Sequence, residues 1–128
     1  MEQIALLATA ILLGGMTFFS FGFAPVLFKQ LPMERVRPLL RGTFPYYYAA
    51  VILLAALATA LAFTQSTGAG LLLALITVST VYARQVLMNQ INAATDAGDT
   101  RAFGRLHGLS VAIQLVQLGL CGWALLLI

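Results

Sequence analysis

Ala24-Pro25-Val26-Leu27-Phe28-Lys29-Gln30-Leu31-Pro32-Met33-Glu34-Arg35-Val36-Arg37-Pro38-Leu39-Leu40-Arg41-Gly42-Thr43-Phe44-Pro45-Tyr46-Tyr47-Tyr48 is the one long polar interruption in an otherwise apolar chain. It carries four of the seven basic residues, Lys29, Arg35, Arg37 and Arg41, against a single acid, Glu34. Basic segments between apolar spans stay on the cytoplasmic side of a membrane, so this stretch sets the orientation of everything around it. Composition agrees with a bilayer setting. With 61% hydrophobic and 9% charged side chains in 128 residues, the chain has more apolar surface than a soluble domain of its size can hide. The net charge of +3 is gathered at the basic stretch and at Arg101 and Arg105, which points to anionic lipid headgroups and not to nucleic acid.

Working outward, the sequence predicts an all-α membrane protein, a four-transmembrane-helix bundle in one domain over 1–128. The helices are expected at about 4–28, 45–63, 70–97 and 101–128, with a basic cytoplasmic loop at 29–44. The first apolar run is too long for a signal peptide and lacks a basic start, so it is read as a retained helix, kinked at its end by Pro25. Thr9, Thr17 and Ser20 fall within about an 80° arc and are expected to face protein. Met33, Val36 and Leu40 suggest a short interfacial helix in the loop. Pro45 suits the first turn of the second helix, where Phe44, Tyr46, Tyr47 and Tyr48 form an aromatic belt. Ala56, Ala58, Ala60 and Ala62 permit close helix approach, and Gly119 with Gly122 does the same in the fourth helix. Residues 64–70 read as an uncharged turn. Gly98 reads as a C-cap, and Asp99 or Thr100 as the next N-cap. Both basic clusters must lie on one side, so both termini are expected outside.

Polar groups within the spans are the candidates for chemistry. His107, Ser110, Gln114 and Gln117 lie within about 80° on the fourth helix, and Thr77, Thr80 and Arg84 within about 60° on the third. Such stripes must face protein or water. Depth counting brings Arg84 level with Gln114, so the seven residues are expected to build one ligand- or lipid-binding pocket, while Lys29, Arg35, Arg37 and Arg41 bind headgroups. Arg84 has no acid in any span to pair with, and either snorkels toward the cytoplasm or receives an anion. His107 is the single histidine and Cys121 the single cysteine, which leaves no closed metal site and no intrachain disulfide. No catalytic constellation is present, so no enzyme activity and no cofactor is expected.

The runs Pro25 to Pro32, Gly42 to Tyr48, Ala83-Arg84 and Phe103 to Ser110 together resemble the transmembrane protein 205 family, a membrane domain of unknown function with bacterial members. The resemblance implies four transmembrane helices and makes Pro25, Phe28, Pro32, Phe44, Pro45, Arg84, His107 and Ser110 the motif positions. The eukaryotic members have a longer insertion between the third and fourth helices and are linked to tolerance of platinum drugs; this chain has a short turn there. The expected function is a small, non-enzymatic accessory or scaffold subunit of a larger membrane complex, or a homo-oligomer. The alternatives are a small transporter or efflux protein for metals or drugs and, beyond that, a haem- or quinone-binding subunit.

Overall fold

The computed structural model describes all 128 residues. It is all-helical, with four helices long and apolar enough to cross a membrane: α1 (Glu2–Gln30), α2 (Met33–Phe63), α3 (Thr67–Ala97) and α4 (Thr100–Leu127). They run up and down in turn, each packed on its neighbours in chain order, and α4 closes the ring against α1. At ~1.5 Å per residue, helices of 28 to 31 residues reach well past the ~30 Å hydrocarbon layer. One end of the bundle therefore projects beyond the core. That end carries Lys29, Arg35, Arg37, Arg41, Arg101 and Arg105, and is called the basic end below.

Small residues on the inner faces explain how tightly the helices meet. Ala8, Leu12 and Met16 of α1, Val51, Ala55, Ala58 and Ala62 of α2, Ala69, Leu73 and Ile76 of α3, and Cys121 with Ala124 of α4 form the buried core. Their three- and four-residue spacings put them on one stripe of each helix. Alanine lets backbones approach closely, which is how helices gain dispersion contacts where lipid removes the usual hydrophobic drive. The α2–α3 hairpin is the closest pair. Ser66 caps α3 by accepting from the amide of Ala69, and the Phe63 ring covers Gly70 so closely that any Cβ there would collide with it.

Several element boundaries differ from those expected. The segment 29–44 is not a loop. Apart from a break at Leu31 and Pro32 it is helical, and α2 runs unbroken from Met33 through Pro38 and Pro45. The expected short interfacial helix is thus the first part of α2, with Val36 fully buried in the midst of the charges. The two prolines sit seven residues apart, so both missing donors fall on one side of the helix and the other side keeps its ladder. Pro45 is accordingly in the helix interior and not in its first turn. Helix α3 begins at Thr67, three residues before the expected start, because Ser66 supplies the cap. Gly98 adopts φ +68° and Asp99 accepts from the amide of Ala102, as the sequence indicated.

The end of α1 also differs in kind from a proline kink. Residues Phe19–Phe23 form a π turn just ahead of Pro25, and a second π turn spans Ala83–Leu87 in α3. Proline 25 cannot donate to the carbonyl four residues back, and the wider turn absorbs the misfit before the helix resumes at Ala24–Gln30. Counted from the opposite end of the bundle at ~1.5 Å per residue, both π turns and Pro45 lie at about the same height.

Candidate functional site

The interrupted level is where the polar and aromatic side chains meet. From α4, Gln114 Nε2 donates to Ser20 Oγ of α1 at 2.8 Å and to Tyr47 Oη of α2 at 2.7 Å. Ser110 Oγ lies 3.5 Å from the hydroxyl of Tyr48. Further from the basic end, Gln117 Nε2 donates to Ser79 Oγ at 2.7 Å and Thr80 Oγ1 at 3.0 Å of α3. Both hydroxyls donate onward to the carbonyl of Ile76. The two glutamines of α4 thus tie it to each of the other three helices. Every fully enclosed side-chain oxygen and nitrogen has a partner. This is what polar groups in hydrocarbon require, since an unmatched amide there costs several kcal/mol.

The seven residues expected to share one pocket are distributed over separate contacts. Gln117 and Thr80 do meet. Thr77 bonds the carbonyl of Leu73 and lies 3.4 Å from Thr59 of α2, facing the neighbouring helix and not α4. Arg84 and Gln114 are not hydrogen-bonded to each other. In its π turn, Arg84 Nε donates to the carbonyl of Pro45 at 3.1 Å and Nη1 to Gln85 Oε1 at 3.1 Å. His107 is exposed and stacked on Phe103 with ring centroids 5.5 Å apart, outside the bundle interior. Depth counting failed for Arg84 and Gln114 because height along an axis says nothing about rotation about it.

Of the four headgroup candidates, Arg41 has a protein partner. Its guanidinium grips Asp96 of α3 in bidentate fashion, at 2.7 and 2.9 Å. Each partner shifts the other: the hydrogen bond from Arg41 holds the Asp96 carboxyl below its ordinary value, and that to Asp96 raises Arg41. Lys29, Arg35 and Arg37 are exposed and outside this ion pair, the single one in the chain. Thr17 at the edge of its arc is exposed, whereas Thr9 is buried and bonds the carbonyl of Ala5. Cys121 is buried against the carbonyl of Thr9. No three side chains among His, Cys, Asp and Glu come together as a metal site would need.

A feature missed from sequence is the joining of two aromatic groups. Phe19 of α1 stacks on Tyr47 of α2 with centroids 3.9 Å apart, meets Phe44 edge-on at 5.4 Å and lies against Phe23 at 5.6 Å. The expected interfacial belt is therefore largely an inter-helix contact, with Tyr46 alone pointing fully outward at 79% exposure. Beside the stack lies a shallow, open hollow of about 380 Å³ lined by Phe18, Phe19, Phe23, Thr43, Tyr46 and Tyr47. The clustering of phenylalanine at 18, 19, 21 and 23 was the available signal, but its facing depends on the π turn. A second, smaller hollow of about 210 Å³ lies over Thr59 and Thr77 between Ala56, Ala74 and Val78.

Comparison with curated proteins and with solved structures finds no match. The family profile for DUF4149, a domain of unknown function, matches residues 7–100, which takes in α1, α2 and α3 and stops at the start of α4. The profile does not carry the transmembrane protein 205 name. It nevertheless spans most of the chain and includes both π turns, Pro45, Arg84 and the aromatic stack. The protein is a multi-pass membrane protein by the length and apolarity of its four helices, and it belongs to the DUF4149 family.

Proposed function

We propose that this chain is a non-enzymatic scaffold or accessory subunit of a larger membrane complex, set in a bacterial inner membrane with its basic end in the cytoplasm and both termini outside. One observation carries the reading. The polar side chains inside the spans are engaged with one another, Gln114 with Ser20 and Tyr47 and Gln117 with Ser79 and Thr80, so the interior offers stability and no polar path. What remains for interaction is the outer surface. There Leu53, Leu57, Leu75, Val116 and Trp123 stand exposed beside Ala56, Ala60 and Gly119, small residues that do not serve the core. A ridge-and-hollow apolar surface of this kind suits another helix.

Extraction in a mild detergent and native mass measurement test it. A particle heavier than one chain of 13.7 kDa with its bound lipid and detergent is expected, and a lone chain that retains its cellular phenotype would overturn the proposal. Orientation is tested separately, in a Cys121→Ser background. Cysteines at Thr67 and Pro38 should be labelled from opposite sides of intact cells, Thr67 from outside. Labelling of both from outside would overturn the orientation and leave the scaffold reading standing.

A further inference from the structure

We propose that the basic end of the bundle is a clasp: an α1–α2 arm, residues 24–42, swings on a hinge made by the Phe19–Phe23 π turn and Pro45, and the Arg41–Asp96 ion pair holds it shut against an α3–α4 arm, residues 88–103. The motion is internal to one chain and needs no partner subunit. It follows from the place of the interrupted turns, the packing beyond them and the single link between the arms.

The interruptions touch one another, so their common level does not rest on counting along an axis. Phe19, the first residue of the π turn in α1, stacks on Tyr47 at 3.9 Å and meets Phe44 edge-on at 5.4 Å, and these two residues flank Pro45. Arg84, in the π turn of α3, donates to the Pro45 carbonyl itself. Pro45 has no amide hydrogen for the carbonyl of Arg41, four residues back, and a π turn departs from the regular ladder. Both helices of the α1–α2 hairpin therefore bend more easily at this level than unbroken helices would. In the α3–α4 hairpin one helix, α4, passes the same level as regular α-helix. The α1–α2 arm is the one free to move.

Packing falls away past this level. The main buried core lies wholly on its other side, ending at Met16, Val51, Ile76 and Cys121. Within the arms, Val36 and Ala94 alone are buried. The α3 segment Met88–Ala97 packs on α4 and hardly on α1 or α2, so the backbones of the two arms stand apart. What joins them is the Arg41 fork on Asp96, at 2.7 and 2.9 Å, the single ion pair of the chain. Its side chains are 47% and 60% exposed, and water competes for them; a pair of this kind moves an equilibrium by no more than about five-fold. A link this weak can part while the alanine core stays folded, which is what a clasp requires. Parting uncovers Val36, an apolar side chain set among Glu34, Arg35 and Arg37.

The test measures distances within the full chain reconstituted into lipid vesicles. In a Cys121→Ser background, spin labels on Met33→Cys and Ala97→Cys report on the arms, and labels on Leu53→Cys and Leu71→Cys on the alanine half; all four positions are exposed. Double electron–electron resonance should find a shorter and a longer distance for the arm pair and one distance for the other pair. Asp96→Asn, or about 1 M salt, where the Debye length is ~3 Å, should raise the ratio of longer to shorter by up to about five-fold. Pro45→Ala restores the missing amide hydrogen and should lower that ratio. Deleting Phe21, an exposed residue of the π turn, returns that turn to a regular ladder and should act in the same direction, so the hinge is tested even where one of the two variants does not fold. One distance for the arms, a ratio that Asp96→Asn leaves unchanged, a ratio that neither hinge variant lowers, or an equal response in the alanine half would each overturn the proposal.

Discussion

The two halves of this bundle hold together in different ways. Toward the Thr64–Ser66 turn, regular helices meet through Ala8, Ala55, Ala58, Ala62, Ala69 and Ala124, and the contact is close because nothing larger than a methyl group separates many of the backbones. Toward the basic end, two helices contain π turns and a third runs through Pro45, and side chains bridge what backbones no longer can: the Phe19–Tyr47 stack, Gln114 across three helices, and Arg84 on the Pro45 carbonyl. A regular ladder with small residues makes a rigid core. Interrupted ladders leave backbone carbonyls for side chains to meet, as Arg84 meets that of Pro45.

The largest effect is expected in the alanine half. Ala58 is fully buried, so Ala58→Leu forces three carbon atoms into a filled space at a cost of about 1–3 kcal/mol, or more if α2 and α3 part. Ala56→Leu on the exposed side of the same helix should be close to neutral. Unfolding of the purified proteins in detergent compares them; equal stability would mean that the core is not close-packed there.

Replacing a bridge should matter less. Gln117→Leu removes the donor to Ser79 and Thr80, but both hydroxyls keep the Ile76 carbonyl as acceptor, so no group is stranded. Interhelical hydrogen bonds of this kind average about 0.6 kcal/mol with a ceiling near 1.7, and the same unfolding titration should place the variant in that range. A loss exceeding that of Ala58→Leu would reverse the order of the two halves.

Arg84→Met should act locally. Its Nε–H bonds the Pro45 carbonyl from a half-buried position, worth about 1 kcal/mol or less to global stability. The expected signature is faster amide exchange just after Pro45, at Tyr46 to Ala49, with Ala55 to Ala62 unchanged. Faster exchange throughout α2 would show that the two halves are not independent.

The smallest effect belongs to the exposed Arg41–Asp96 pair, which water and salt screen. The Asp96 carboxyl is held below its ordinary value of 3.8 by the Arg41 hydrogen bond, so the pair contributes fully above that pH and is lost as the pH falls through the lower folded value. The slight stability difference between the wild type and Asp96→Asn should therefore persist at neutral pH, vanish in acid and shrink in concentrated salt. An increase toward low pH would give the linkage the wrong sign.

Much of this architecture was legible without coordinates. Four apolar stretches, the two clusters of basic residues and the Gly98–Asp99 turn are local or additive signals, because bilayer thickness and the conformational preference of glycine act on each segment separately. The small residues at Ala58 and Ala62 announced close packing in the same way, though not that Ala56 and Ala60 would face outward. The polar stripe of α4 was visible too. Its partners were not, since a helical wheel orders residues about one axis and is silent on how the next helix is turned.

Sequence alone determined that this chain is a four-helix membrane bundle with one basic end, for hydrophobic length and charge are sums over residues. Tertiary structure decided the rest. Whether Pro45 ends a helix or is carried through it, whether the phenylalanines of α1 meet lipid or the tyrosines of α2, and which helix receives Gln114, Gln117 and Arg84 all depend on the rotation and bending of helices against each other. Two π turns, each adding part of a turn, re-aim every side chain beyond them. That rotation is set by packing across the bundle, between residues as far apart in the chain as Ser20 and Gln114, and no local pattern records it.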